Sequence, residues 1–234
     1  MGSGVIVVNK EKIINHLLDE LNIVAKILRL YLEYFIESTL LGIKQNTLTR
    51  CPAISHIDKA ISFNYTSSYE QFYLSSEIFH LHGDVKNRII IGVNPDSSDE
   101  ITSIDVSFAK FKKYFQRTQY NTDLNYINWL KEMKTPTQLT SLIVMGHSLD
   151  VTDQDIILEL FARMDEIIIL YHNEEAKNTY ISNLINMYGK EGLDDLRKQK
   201  GLILLPLNMD FSGLIEKRSK SSFEGVIKNW VNVI

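Results

Sequence analysis

Two histidines lie two residues apart in the stretch FHLHGDVK, which begins at Phe79. A neutral imidazole can take up a proton near pH 7, so either histidine could serve as a general base. Residues two apart on a strand share one face, and His80 is expected to pack and hydrogen-bond within the strand. Gly83 ends the strand directly behind His82 and leaves room for a ligand. We therefore expect His82 to be the reactive histidine of the pair.

A metal site is the alternative interpretation of the same stretch. His80, His82 and Asp84 form an H-x-H-x-D pattern like that of dinuclear zinc hydrolases, but a valine occupies the place of the next expected histidine. His147 and His172 remain as distant candidate ligands, and the chain has no cysteine cluster. We expect no metal ion, with Asp84 in a turn.

Polar residues follow four predicted strands at their carboxyl ends, where open α/β sheets bind ligands. They are Asn64-Tyr65-Thr66, His82-Gly83-Asp84, Gly146-His147-Ser148 and His172-Asn173-Glu174. Because parallel strands present these ends to one edge of the sheet, we expect a single composite pocket. Helix caps and turns also favour such residues and are the alternative at any one end.

The stretch GHSLD resembles the G-x-S-x-G nucleophile elbow of α/β-hydrolases, with Asp150 in place of the second glycine. That fold needs an acid and then a histidine after the serine. The only histidine after Ser148 is His172, which directly follows the very next predicted strand. A serine hydrolase is therefore not expected. Gly146 and Ser148 are instead expected beside a ligand phosphate or ribose.

The elements that position these residues follow from the hydrophobic pattern. Apolar residues at three-and-four spacing predict one long helix, or two in tandem, from Glu11 to about Leu41. Short β-branched runs separated by helices then predict an α/β, Rossmann-like, doubly wound and mainly parallel sheet. We assign residues 1–56 to an N-terminal helical segment and residues 57–234 to the α/β domain. The opening MGSG is typical of a cloning remnant, so the natural chain is expected to start elsewhere or to be truncated here.

The individual strands and helices can also be predicted. The predicted strands are VIVV, AISFNY, EIFHLHG, RIIIGV, TSLIVMG, EIIILYH and GLILLPL. The predicted helices after the first lie near 106–117, 123–133, 174–188, 191–199 and 222–232, and capping patterns predict two more, at QFYL and at IILELFARM.

Composition excludes several classes of protein. The 234 residues are 44% hydrophobic and carry a formal net charge of −4, which gives no global basic field for nucleic acid. The basic stretch KFKKYFQR leaves RNA binding or nuclease activity as an alternative, although a solvated helix face with Phe111 and Tyr114 or Phe115 packed inward is favoured. One cysteine, charges within the most apolar helix and the lack of a secretory signal predict a cytoplasmic protein without a membrane partner.

Taken in order, FNYT, HLHGD, IIIGV, GHSLDVTD and YHNE resemble the bacterial AbiH family of abortive-infection proteins, over about residues 57–180. AbiH proteins in turn resemble the sirtuin-like group, whose Rossmann-type domain binds NAD. The resemblance implies a phage-defence protein that hydrolyses NAD or a related nucleotide. It also implies a phage-protein trigger and, as the alternative, a non-enzymatic phage-sensing or interaction module. A homo-oligomer is a further possible state.

The same resemblance assigns roles to the strand-end residues. It implies His82 as general base and Asn64 as the group that orients the nicotinamide ribose or the attacking water. The implied nucleotide contacts are Tyr65, Thr66, Gly83, Gly146, Ser148, Asn173 and Glu174. The family's glycine-rich GNGFD-like turn is not found in MGSGVIVVNKEK, and a single cysteine excludes the four-cysteine zinc ribbon of deacetylating sirtuins.

Overall fold

The fold is given by a computed structural model of the chain. The structure describes residues 9–43, 57, 59–72, 77–92, 106–132, 138–209 and 227–233.

Six parallel strands in these residues form one sheet with the order β2-β1-β6-β3-β4-β5. The strands are β1 Lys59–Ser62, β2 Glu77–His80, β3 Gln138–Met145, β4 Glu166–Tyr171, β5 Ile203–Pro206 and β6 Ile227–Val233. Parallel neighbours need crossover connections, which the intervening helices supply. The α/β class with a parallel sheet, predicted from sequence, is confirmed.

The α-helices are α1 Lys10–Tyr31, α2 Ser38–Gly42, α3 Ser68–Phe72, α4 Lys113–Tyr120, α5 Leu124–Glu132, α6 Gln154–Arg163 and α7 Glu174–Gln199. Short 3-10 helices cover Val106–Phe111 and Val151–Asp153. The range α7 consists of two helices joined at Gly189, whose φ of 68° and ψ of 173° are not helical, which agrees with the two helices predicted near 174–188 and 191–199.

Both faces of the sheet are covered. On β3 and β4, Leu142, Val144 and Ile167 belong to a core cluster with side chains of α5, α6 and α7, while Ile143 and Ile168 belong to a second cluster on the other face. Successive strand residues point to opposite faces, so a continuous apolar run is what a doubly covered strand requires.

The predicted N-terminal helix runs without a break from Lys10 to Gly42, because a π-helical turn at Leu32–Glu37 joins α1 to α2. Asn9 caps it by accepting a hydrogen bond from the Lys12 amide at 3.0 Å. Polar contacts tie it to the body, since Arg88 donates to Asn22 Oδ1 at 3.0 Å. The division at residue 56 stays a prediction.

Three predicted elements differ from the structure. RIIIGV is not a strand in its described part: Ile89 makes one antiparallel bridge to Gly83, and the Ile90 amide donates to the His82 carbonyl at 2.8 Å. The helix predicted near 222–232 is wrong, because Ile227–Val233 is the strand β6, between β1 and β3. The helix predicted near 106–117 is a 3-10 turn followed by α4.

Two further points concern the predicted first strand and the possibility of a membrane-spanning helix. The predicted VIVV strand lies outside the described residues. Within the described part, no helix combines the length and apolar character needed to cross a bilayer.

Candidate functional site

The loops that follow β1 and β2 run side by side at the carboxyl edge of the sheet. The Leu81 amide donates to the Ser62 carbonyl at 3.0 Å, and the Val85 amide donates to the Tyr65 carbonyl at 3.0 Å. Gly83 lies between them with a φ of 76°, and a β-carbon there would lie 1.7 Å from the Arg88 carbonyl oxygen. The close approach of two backbones therefore requires glycine at this position.

One buried carboxylate, that of Asp153, gathers three side chains at this edge. Its Oδ1 lies 3.0 Å from His82 Nε2, and its two oxygens each lie 3.0 Å from the Lys113 ammonium. His147 Nε2 lies 3.8 Å from Oδ2. Each of the four side chains is less than 15% exposed. We call this group the Asp153 cluster.

The electrostatics of the cluster fix its charge near neutral pH. Burial lowers the pKa of His82, which outweighs the attraction of Asp153 and leaves the imidazole neutral at pH 7. Burial alone would raise the pKa of Asp153, but its contacts with His147, His82 and Lys113 hold it well below the usual range. The buried ion pair is therefore Asp153 with Lys113, and His82 contributes an uncharged ring.

The loop after β3 fixes the tautomer of His147. The Leu149 amide donates to His147 Nδ1 at 2.9 Å, so a neutral His147 carries its proton on Nε2, the nitrogen nearest Asp153. Leu149 is fully buried with a φ of 54°, a left-handed conformation that is rare for a branched residue. Backbone of this kind is concentrated at functional sites, where surrounding contacts hold it in place.

Aromatic rings flank the two cluster histidines. The Phe63 ring centroid lies 5.2 Å from that of His82 and 4.2 Å from that of His147. Tyr65 donates its hydroxyl to the Ile90 carbonyl at 2.7 Å, and burial, with a contribution from Asp153, raises its pKa to about 12. Phe63 and Tyr65, on either side of Asn64, thus surround the two histidines with aromatic surface of low dielectric constant.

The basic stretch KFKKYFQR contributes to this interior from α4. Lys113 bonds Asp153, and the fully buried Arg117 bonds Asp155 one helical turn later. Tyr114, on the other side, is 63% exposed. Of the predicted inward residues, Phe111 and Phe115 are half-buried, whereas the Tyr114 alternative is wrong. The basic face is not solvated throughout, because Lys113 is largely buried and Arg117 is fully buried.

The H-x-H-x-D residues do not converge on one point. His80 bonds Glu70 through Nε2 at 2.6 Å and the Asn64 carbonyl through Nδ1 at 3.1 Å, as a packed strand histidine. Asp84 accepts from the Lys86 and Asn87 amides and so closes a turn. In the residues with described positions, no group of His, Cys, Asp and Glu side chains is arranged to hold a metal ion.

Comparison with protein families gives one match, to bacteriophage abortive infection AbiH over residues 7–172. No curated protein and no solved structure matches the chain. The matched range covers most of the sequence and contains the whole Asp153 cluster. The chain belongs to the AbiH family. Its membership indicates a bacterial anti-phage role in abortive infection.

The remaining predicted site residues of this AbiH protein lie around the cluster rather than in it. Asn64, Gly146 and Ser148 are exposed at the sheet edge, and a β-carbon on Gly146, whose φ is 76°, would meet open space. Thr66 hydrogen-bonds Ser68 at 2.7 Å.

The loop after β4 lies at the start of α7. Asn173 caps α7 through the Ala176 amide at 2.8 Å, and Glu174 pairs with Lys177 at 3.2 Å. These contacts leave both side chains exposed, at the N-terminal end of a long helix.

The sequence alone did not identify Asp153 or Lys113 as members of the candidate site. Asp153 precedes the first residue of α6 and has the form of a helix cap, which hides its role among ordinary capping residues. Lys113 belongs to α4, far from the strand ends in sequence. An acidic residue in the loop after the GHS turn was the available signal for Asp153.

Proposed function

We propose that this AbiH protein cleaves NAD, or a related nucleotide, during abortive infection, with His82 as the general base. The observation that carries the proposal is the neutral His82 ring held 3.0 Å from the buried Asp153 carboxylate at the carboxyl edge of a parallel sheet. Open α/β sheets bind nucleotides at that edge. A base kept neutral at pH 7 and oriented by a carboxylate is suited to proton abstraction.

The proposed reaction is hydrolysis of the bond between nicotinamide and ribose. In the proposed reaction the proton of the neutral His82 ring stays on Nε2, the nitrogen 3.0 Å from Asp153 Oδ1, which leaves Nδ1 with the free electron pair. Nδ1 takes a proton from the attacking water or from a ribose hydroxyl, the water oxygen bonds to the ribose carbon, and nicotinamide leaves with the electron pair of the broken bond. Asn64 orients the attacking group, and the products are nicotinamide and ADP-ribose.

The exposed strand-end residues supply the proposed nucleotide contacts. Gly146 allows close approach of a phosphate to the backbone because no atom lies within 4 Å of its missing β-carbon. Ser148 offers a hydroxyl to the ribose, and Tyr65, Thr66 and Gly83 line the nicotinamide end. Asn173 and Glu174 lie at the start of α7, where they would meet the adenosine.

Because the Asp153 cluster is buried, we propose that access of the substrate to His82 is regulated. His82 is 4% exposed, so the substrate reaches it only when the surrounding loops open. The loop between Gly146 and Asp150 would have to move for this, because its residues Gly146, His147 and Ser148 lie at the sheet edge next to the cluster. We expect a phage protein to act as the trigger that stabilises the open state.

The test is NAD turnover by the purified full chain with and without infected-cell extract, followed by chromatographic detection of nicotinamide and ADP-ribose. His82→Asn should reduce the rate by about 100-fold or more, the usual contribution of a general base. His16→Asn, in an exposed histidine on α1, is the matched control and should keep the wild-type rate. Equal rates in wild type and His82→Asn would remove the proposal.

A non-enzymatic phage-sensing module is the second candidate. The observation that favours it is that the Asp153 cluster is closed and internally neutralised, as in a structural ion-pair network. In that case no NAD is consumed even with infected-cell extract, while the His82→Asn variant still binds the phage component. Turnover that depends on His82 would exclude this candidate.

A further inference from the structure

The N-terminal helix carries apolar side chains on its solvent side as well as on the side that faces the protein, where Ile14 is buried and Leu18 and Leu21 are half-buried. Asn22 accepts a hydrogen bond from Arg88, and Arg29 donates to the Asn87 carbonyl at 3.4 Å, so this side faces the body. Ile27 is 62% exposed and Val24 is 54% exposed on the side that faces away. A surface helix of a monomer usually has its apolar residues on one side only, so the second apolar side is the unusual feature.

The exposed side chains follow the spacing of a coiled coil. Apolar residues alternate at three and four positions, with one charged member, Glu20, at the same spacing. These residues, which we call the outer face, are Ile13, Leu17, Glu20, Val24, Ile27, Tyr31 and Tyr34. A repeat of 3.5 residues is the pattern that packs along another helix.

The outer face is large enough to hold a dimer together. The exposed area of its apolar side chains, together with that of the neighbouring Ile23 and Leu30, is on the order of 1,000 Å² on each copy. A standard interface buries about 800 Å² of surface on each partner. α1 extends over roughly 33 Å at the usual helical rise. A second α1 supplies a helix of matching length and character.

The polar member of the outer face selects the relative direction of the two helices. A parallel, in-register pair would place the Glu20 carboxylates of both copies against each other in an apolar seam, which is unfavourable. An antiparallel pair centred between Val24 and Ile27 places Glu20 opposite Tyr31, whose hydroxyl can donate to the carboxylate. The same register sets Val24 against Ile27 and Leu17 against Tyr34.

We propose that the outer face of α1 is the dimer interface of this protein and that it packs antiparallel against the outer face of a second copy. The proposal does not depend on NAD cleavage, because the interface lies on the N-terminal helix and the Asp153 cluster at the sheet edge.

The first test is sedimentation equilibrium of the full chain up to about 100 µM, a range that detects micromolar association. Wild type should have twice the 27.0 kDa mass of one chain, and Ile27→Glu should be a folded monomer by circular dichroism. Ile185→Glu changes an isoleucine of α7 that is 43% exposed, outside the outer face, and should remain a dimer. A monomeric wild type, or an Ile27→Glu dimer of unchanged affinity, would overturn the proposal.

Disulfide trapping tests the direction in a Cys51→Ser background. The antiparallel register brings positions 24 and 27 of different copies together, so the Val24→Cys, Ile27→Cys double variant should cross-link rapidly under mild oxidation. The Ile27→Cys single variant should cross-link poorly. Rapid cross-linking of the single variant indicates a parallel pair and contradicts the antiparallel arrangement.

Discussion

At the scale of single residues, the two histidines of FHLHGDVK have different environments although they lie two positions apart. His80 lies between Glu70 and the Asn64 carbonyl, and burial, which alone would lower its pKa, is outweighed by these partners, so its pKa is raised. His82 is more deeply buried and its pKa is lowered. The expected packing of His80 is confirmed, but β2 ends at His80 and the Arg88 carbonyl fills the space beside Gly83, so the expectation of room for a ligand there is wrong.

The opposite pKa shifts predict opposite effects on stability. Below about pH 6.5 the unfolded chain binds a proton at His82 that the folded chain resists, so His82 reduces the free energy of unfolding as pH falls. His80 does the reverse: its stabilisation is complete below about pH 6.5 and is lost as pH rises through its raised folded pKa. When the pH falls from about 7.5 to about 5.5, the free energy of unfolding of His82→Asn should decrease less than that of wild type. That of His80→Asn should decrease more than that of wild type.

Urea unfolding of the three proteins at the two pH values measures these differences. The comparison uses each variant's change with pH, which removes any constant cost of the substitution. Changes in the same direction for both variants would contradict the assignment of the two environments.

The pair of Asp153 and Lys113 is expected to be strongly coupled. Removing the carboxylate with Asp153→Asn leaves a nearly buried ammonium without its counter-charge, which costs about 3 to 5 kcal/mol. Lys113→Met together with Asp153→Asn should cost much less than the sum of the single changes, with a coupling energy of about 2 kcal/mol by denaturant unfolding.

The exposed pair of Glu159 and Arg163 on α6 is the matched control for this cycle. A coupling energy below about 0.5 kcal/mol is usual for such a surface pair. Equal coupling in the two pairs would show that Asp153 and Lys113 are not the buried pair described above.

At the scale of elements, the sequence predicted those whose pattern is local. The apolar runs of β3 and β4 and the periodicity of Lys10–Gly42 each contain enough information to identify them. β6 was predicted as a helix because its strand conformation depends on pairing with β1 and β3, which are distant in sequence. The buried side of α4 was not predicted for a similar reason, because Lys113 packs against Asp153, which is distant in sequence.

The close approach of the Gly83 and Arg88 backbones predicts a large difference between two glycines with the same φ. Gly83→Ala places a methyl group against the Arg88 carbonyl and must displace the segment that bonds the His82 carbonyl. Gly146→Ala meets no atom and costs only the left-handed conformation, about 1 to 2 kcal/mol. Gly83→Ala should cost about 1 to 3 kcal/mol more by urea unfolding. A cost at Gly83 no greater than at Gly146 would contradict the close approach.

At the scale of the whole molecule, the sheet edge and the N-terminal helix are separate surfaces of one AbiH protein. The matched family range includes both α1 and the Asp153 cluster. The sequence supplied the edge residues and the class of fold, whereas the joining of His82, His147, Lys113 and Asp153 required the folded chain. Residues distant in sequence can be assigned to one site only when the crossover connections are known.

The central claim is that His82 carries out the chemistry of the anti-phage response, and intracellular NAD during infection tests it most directly. Cells that produce wild-type protein or His16→Asn should lose NAD before lysis, and cells that produce His82→Asn at equal abundance should retain it and lose protection. NAD loss and protection that persist in His82→Asn would contradict the account.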